Sequence, residues 1–470
     1  MAGSEENLLK EYFGGLSGQV EAISEIKLNA AIRSGMSGPR SYRISAGKRY
    51  SIGIAAVLAI VMLFAFPWIG KQSEPQNAQS PLVSAQSSNA FEAYRKVASS
   101  NITVSSAIDA GLVQRISGAS AQQNGYVLTV DGIAADRKGI LILYSLQNNT
   151  SRKSQVNRLQ FAGEGYSAVN YPNGWSPKDV QPGITLGYEV LQWGGDFRSL
   201  PDQITLELNL GEKTQTATSS GVKPLAQLSV PVTLDHDKMA KTGELIHVDR
   251  TLTIAGQEVD VNEVYISTTG IYVEEEYNPQ NSKRIFALLN PRMLLGSEDQ
   301  FMSLSSFRTL VVEGKKSLVF ANDNNSKQPL RLQIDGIHAL AKDATELIID
   351  TEKQQIIKAP DKNLKVSVNS TAEGSTMILE YYSPSPKTRF SDSIILLLND
   401  EFKDASGQVY STIMSDISIP ARKESSDKAA LPPTLYYYAL GKAKLPQPLT
   451  FTLNGYPNPL KETVSLSIRK

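Results

Sequence analysis

The sequence predicts a mainly β protein built from tandem sandwich domains behind a single membrane-spanning helix and a short helical head. Three observations predict it: a twenty-residue run without a charge from Ser51 to Gly70, short alternating runs of β-branched and aromatic residues beyond Gly125, and a strand pattern that occurs three times. With 470 residues, 41% hydrophobic and 20% charged, the chain has the composition of a folded protein and length enough for about three domains.

The uncharged run occupies an expected transmembrane helix over residues 50–70, because about twenty residues at roughly 1.5 Å each cover the hydrocarbon core. Tyr50 and Trp68 lie near its ends, where amphipathic rings prefer the headgroup level. A buried core helix is the competing reading, and soluble helices of this length usually carry a polar face. Arg40, Arg43, Lys48 and Arg49 precede the run, whereas Lys71 is the only basic residue after it before Arg95. That asymmetry predicts a cytoplasmic amino terminus and an extracellular carboxyl terminus at the cell membrane. A cleaved signal peptide is disfavoured by the long segment ahead of the run and by the distance to Val83-Ser84-Ala85. Ser51, Ala55 and Ala59 recur at the small-residue spacing that lets two helix backbones pair, although alanine is common in spans for its own reasons.

Residues 1–48 form the expected cytoplasmic segment. Ser4, Glu5 and Glu6 suit the start of a helix reaching Phe13, and Gly14-Gly15 stops it. A second helix is expected from Ser17 to Arg33, with Val20, Ile23, Ile26 and Ala30 gathered on one side. Two short helices bury too little surface to be stable alone, so that side is either a partner-binding face or part of a frayed tail.

Residues 71–120 read as a linker. Lys71–Ala90 is rich in Gln, Ser, Asn and Pro and suits a spacer, and short helices are expected at Phe91–Ala98 and Ile108–Ile116. From Tyr126 to Asn148 the pattern is strand, turn and returning strand, with a corner at Gly139. Gln257–Asn278 repeats it around Gly270, and Leu364–Ser383 around Gly374. Each is followed by a proline-marked alternating run: Pro201–Gly211, Lys327–Ile337 and Pro446–Tyr456. Three copies of one unit follow, each near the ~100 residues of an immunoglobulin-like sandwich. The expected domains are 121–235, 236–358 and 359–470, with boundaries at Asp235–Thr242 and Lys358–Asn363.

The chemistry-bearing residues are few. Cysteine is absent, which excludes disulfides, thiolate metal sites and cysteine nucleophiles, and the histidines are His236, His247 and His338. Equal numbers of basic and acidic residues, 47 each, leave no global field for nucleic acid, and no local basic patch replaces it. Gly211–Thr214 and Gly314–Ser317 echo the end of a phosphate loop without its upstream glycine and read as turns. Asp235-His236-Asp237 lacks a nucleophile or further ligand and reads as an inter-domain hinge. Glu274-Glu275-Glu276 reads as a solvated edge, and Tyr436–Tyr438, Trp175 and Trp193 as packing residues rather than a ligand surface. No catalytic residue, metal or cofactor is expected, and an enzyme is disfavoured.

With LLKEYF and AIRSGM in the head, the basic flank and span, and the hairpin around Gly139, most of the chain resembles a family of Gram-positive single-pass membrane proteins carrying domains catalogued by number, DUF4179-type followed by DUF5643-type. In that family a short cytoplasmic head precedes one span and a β-rich ectodomain, and the genes often lie beside those for extracytoplasmic-function sigma factors. The resemblance implies an anti-sigma or envelope-sensing role, with a cytoplasmic sigma factor, the lipid bilayer and an unknown extracellular ligand as partners. This chain departs from zinc-bearing anti-sigma domains in having no His-Cys-Cys set. A cell-surface adhesion module binding wall polymer or protein, with the head as a mere anchor, is the alternative; a hydrolase is least favoured.

Overall fold

The computed structural model describes residues 91–162, 179–193, 196–212, 223–312, 315–371, 374–383, 394–418, 432–441 and 444–470. The expected head with Val20, Ile23, Ile26 and Ala30, the expected span with Ser51, Ala55 and Ala59, and the spacer to Ala90 lie outside them. Among the described residues no helix is long and apolar enough to cross a membrane. What is described is mainly antiparallel β-structure in three modules.

Two short helices come first, α1 (Glu92–Val97) and α2 (Ile102–Asp109). The first coincides with expectation. The second begins at Ile102 rather than Ile108, because the Asn101 carboxamide accepts from Val104 N at 3.2 Å and caps it there. It ends before Gly111, which takes a positive φ, and Gln114–Arg115 pair as a strand.

The first module contains β1 (Gln114–Arg115), β2 (Ser120–Gln123), β3 (Tyr126–Ala135), β4 (Gly139–Asn148), β5 (Ser154–Ala162), β6 (Asp179–Val180), β7 (Gly183–Gln192), β8 (Gln203–Glu212) and β9 (Lys223–Thr233). One sheet runs β1-β3-β4-β7 with β2 also on β3, and the other runs β6-β5-β8-β9. Leu128, Ile140 and Ile142 of the first pack against Leu206, Leu208 and Val230 of the second. The alternate residues of β4, Leu141 and Leu143, face the other way and are covered by Tyr94, Val104 and Ile108 of the helices. Burial on both faces is why β4 reads as a continuous apolar run instead of alternating. At ~1.5–3 kcal/mol per buried large side chain, this strand anchors both layers.

A short helix, α3 (His236–Lys241), leads to the second module: β10 (Glu244–Ile254), β11 (Gln257–Ser267), β12 (Gly270–Tyr277), β13 (Lys283–Leu289), β14 (Arg292–Gly296), β15 (Phe301–Val312), β16 (Lys315–Phe320) and β17 (Leu330–Ala341). Here one sheet folds on itself. The first half of β15 pairs with β14 and the second half with β16, with a register shift between Ser306 and Arg308 at the corner.

The third module contains β18 (Glu346–Asp350), β19 (Gln355–Lys358), β20 (Leu364–Thr371), β21 (Gly374–Tyr381), β22 (Leu397–Lys403), β23 (Val409–Ser411), β24 (Ile413–Ser418), β25 (Thr434–Gly441) and β26 (Leu449–Gly455). Its sheets, β19-β18-β26-β22-β23 and β20-β21-β25-β24, enclose Leu347, Leu379, Phe402, Tyr438 and Phe451. The last strand, β27 (Pro459–Arg469), then leaves this module and pairs with β17 of the second, Leu332 opposite Leu466.

The three expected hairpins form as β3–β4, β11–β12 and β20–β21, each returning strand beginning at its corner glycine. The three later strands are β8, β17 and β26, and each lies in the layer facing its own hairpin. The expected division at Lys358–Asn363 falls between β19 and β20. Residues 346–358 pair within the third module, so that the chain merely changes sheets there, and residues 459–469 complete the second. The third module is thus inserted between the last two strands of the second.

Candidate functional site

A buried polar network lies where the first two modules and α2 meet. It is built on the turn Asp136–Lys138 between β3 and β4. Asp136 is fully buried; its Oδ1 accepts from Lys138 N at 2.8 Å and Gly139 N at 3.0 Å, closing the turn on itself. Its Oδ2 accepts from Thr269 N at 2.9 Å and Thr269 Oγ1 at 2.8 Å, and Thr269 lies in the equivalent turn between β11 and β12. Corner therefore docks on corner. Burial raises the Asp136 carboxyl pKa, while the Lys138 and Thr269 donors oppose the rise by stabilising the anion.

The surrounding groups complete the seam. Thr269 Oγ1 lies 2.7 Å from Tyr272 OH, and Arg137 N donates to Tyr265 OH at 3.3 Å. The Arg137 guanidinium donates through Nε to Ala240 O at 3.0 Å and lies 5.9 Å from the centre of the Tyr265 ring. Trp193 Nε1 donates to Arg137 O at 2.8 Å, and the Gln192 carboxamide accepts from Arg308 Nη1 at 2.9 Å. Gly139 is required by close approach: a Cβ there would lie 2.6 Å from both Leu191 O and Thr269 Oγ1.

Helix α2 is tied to the same place. Its Thr103 Oγ1 accepts from Asn322 N at 3.0 Å, and its Ser106 Oγ donates to Asn322 O at 3.1 Å. Asn322 Nδ2 in turn donates to Ser267 O at 2.8 Å, and Asn324 Nδ2 to Thr268 O at 3.3 Å. Residues 267–269 thus receive both the loop that holds α2 and the corner of the first module. A cavity of about 240 Å³ opens beside them, lined by Leu112, Ile133, Asp235, Lys238, Met239 and Thr268 among others. Burial lowers the Lys238 pKa there, against the nearby Asp235.

This arrangement orders segments. Asp235-His236-Asp237 starts α3 instead of forming a free hinge: Asp235 accepts from Lys238 N at 3.0 Å as the cap, and Met239 is buried in the first module's core. His236 Nε2 is 3.8 Å from Asp202, and His247 Nδ1 is 3.2 Å from Glu263 across β10 and β11. His338 is buried on β17. Among the described residues, no group of three His, Cys, Asp or Glu could hold a metal ion. Tyr436 and Tyr438 belong to the third core and Trp193 to the first, as packing residues; Trp175 lies outside the described residues.

The acidic run requires correction. Glu275 is not on a solvated edge: β12 is paired on both sides, and Glu275 is buried on the same face as Ile271 and Val273. Its alternation with those two residues is the signal that could have placed it. The meeting of the two corners had no comparable signal, because equivalence of repeats says nothing about contact between them.

No protein-family model matches the chain, and no curated protein matches its sequence. A solved structure, that of a conserved domain protein from Bacillus anthracis, is similar over 52% of this chain and 84% of its own, at 12% identity and a TM-score of 0.31. Similarity at that level carries neither fold nor function across.

Proposed function

We propose that the chain is a membrane-anchored anti-sigma or envelope-sensing regulator with a non-catalytic ectodomain of immunoglobulin-like sandwiches. In this reading residues 50–70 span the bilayer, and the head holds a cytoplasmic sigma factor through Val20, Ile23, Ile26 and Ala30. The modules meet an extracellular ligand; no cofactor and no nucleic acid take part. The observation that supports it best is the fastening of α2, the helix following the spacer, to the junction of the first two modules by Thr103 and Ser106. A change in the alignment of those modules would reach the segment that leads to the anchor. Ligand binding shifts such an equilibrium only by its differential affinity for two arrangements, and paired against separated spans through Ser51, Ala55 and Ala59 is one such pair.

The test is Ile23→Asp in the intact chain, which places an unpaired charge where apolar surface must be buried. Transcription from the sigma factor's promoters should rise without envelope stress, and a bait of residues 1–48 should lose the sigma factor it otherwise captures. Unchanged transcription together with no sigma factor captured by the original head would transfer the reading to the wall-polymer or protein adhesion module.

A further inference from the structure

We propose that the junction of the second and third modules carries a binding site for a phosphate-type oxyanion. A cavity of about 360 Å³ lies there, walled by Tyr277 at the end of β12 and Asn281 after it, by Lys283 and Arg284 of β13, and by Lys342 and Thr345 on the way into β18. Its lining contains three cationic residues and no carboxylate. The proposal does not depend on where the amino-terminal segment lies or what it binds.

Three arginines of the second module are matched by carboxylates. Arg292 reaches Asp335 at 2.8 Å, Arg331 reaches Glu298 at 3.4 Å and Arg469 reaches Glu244 at 3.5 Å. Arg284 has no carboxylate in range among the described residues. Its Nη2 donates to Asn454 Oδ1 at 3.1 Å, and its guanidinium lies 5.5 Å from the centre of the Phe286 ring. Among the described residues Lys342 Nζ donates to a backbone oxygen, that of Pro279, at 2.8 Å, and to no carboxylate. Positive charge drawn partly out of water without a counter-charge is unfavourable, and burial accordingly lowers the Arg284 pKa.

The ligand class follows from charge and shape. One guanidinium fork can take two oxygens of an oxyanion, and the Lys342 ammonium adds a second positive charge, which together suit a dianionic tetrahedral group better than a single carboxylate. The volume lies at the lower end of ligand pockets, ~300–1,000 Å³, which leaves room beside the oxyanion for a flanking group.

The test is calorimetric titration of the full chain in detergent with inorganic phosphate, with glycerol phosphate, and with glutamate as a carboxylate probe, all at one ionic strength. Phosphate or glycerol phosphate should bind and glutamate should not. Lys342→Gln, at an exposed position, should weaken binding at least tenfold without altering the melting temperature of the free chain. Arg284→Lys, which keeps the charge and removes the fork, should also weaken it. Lys444→Gln, at a separate surface, should change nothing. Tighter binding of glycerol phosphate than of phosphate would identify a phosphomonoester-bearing molecule as the source, and the reverse would identify the free ion. Absence of phosphate binding, equal binding by Lys342→Gln, or glutamate binding as tightly as phosphate would overturn the proposal.

Discussion

Asp136 and Thr269 stand 133 positions apart and are joined twice at one carboxylate oxygen, which accepts from both the amide and the hydroxyl of the threonine. The two residues occupy corresponding turns of two copies of the same hairpin, so the repeat that builds each module also supplies the contact between them. Because both are buried, the seam carries a penalty if broken that an exposed contact would not: an unmatched buried polar group costs ~1–3 kcal/mol.

Stability should follow that inequality. Thr269→Val removes one donor to Asp136 and should lower the urea midpoint of the full chain in detergent modestly. Asp136→Ala leaves three backbone amides without their acceptor and should lower it more. Equal midpoints for the original chain and Asp136→Ala would show that the seam contributes nothing.

A second expectation concerns pH. Glu275 is pushed up to about 7 by burial, against the opposing pull of Lys316 and of the Tyr277 hydroxyl 3.1 Å from its Oε1. The folded-state pKa lies above the unfolded one, so the contribution of Glu275 to stability is fully present below about pH 4.5 and is lost as pH rises through 7. The difference is on the order of 3 kcal/mol between the two ends of that window. Glu275→Gln should flatten this part of the profile and leave the chain more stable than the original at pH 8, measured by denaturant titration at pH 5 and pH 8.

The return of the last strand makes a third expectation. Removing residues 459–470 uncovers one edge of β17 along its length, while every strand of the third module remains. Hydrogen exchange should therefore accelerate in β17 and β13 and stay unchanged in β21 and β25. Gly336→Ala should imitate this in part, since a Cβ there would lie 2.2 Å from Leu460 O. Faster exchange confined to the third module would contradict the topology.

The hairpins were legible because alternation and a corner glycine are local, and the facing strands because proline-marked alternation recurs after each. The destination of residues 459–469 was not, since an alternating run beside one sheet looks the same as beside another and only tertiary pairing selects β17. Charge type misled at Glu275, where the parity of Ile271, Val273 and Glu275 outweighs the solvation preference of a carboxylate. At the junction, Asp136 three residues before Gly139 announces a turn, but its second oxygen finds Thr269 only when the modules are assembled. Arg284 of β13 and Lys342 drew no notice in the sequence, for their common place in the lining of one cavity emerges only on folding.

The central claim, that α2 and the first two modules are held as one through residues 267–269, is tested most directly by hydrogen exchange on the full chain in lipid nanodiscs, original against Asp136→Ala. The account predicts exchange at least tenfold faster in the β11–β12 turn and in α2 together, with β20 and β21 unaffected. Acceleration confined to residues 136–139, with α2 as protected as before, would contradict it.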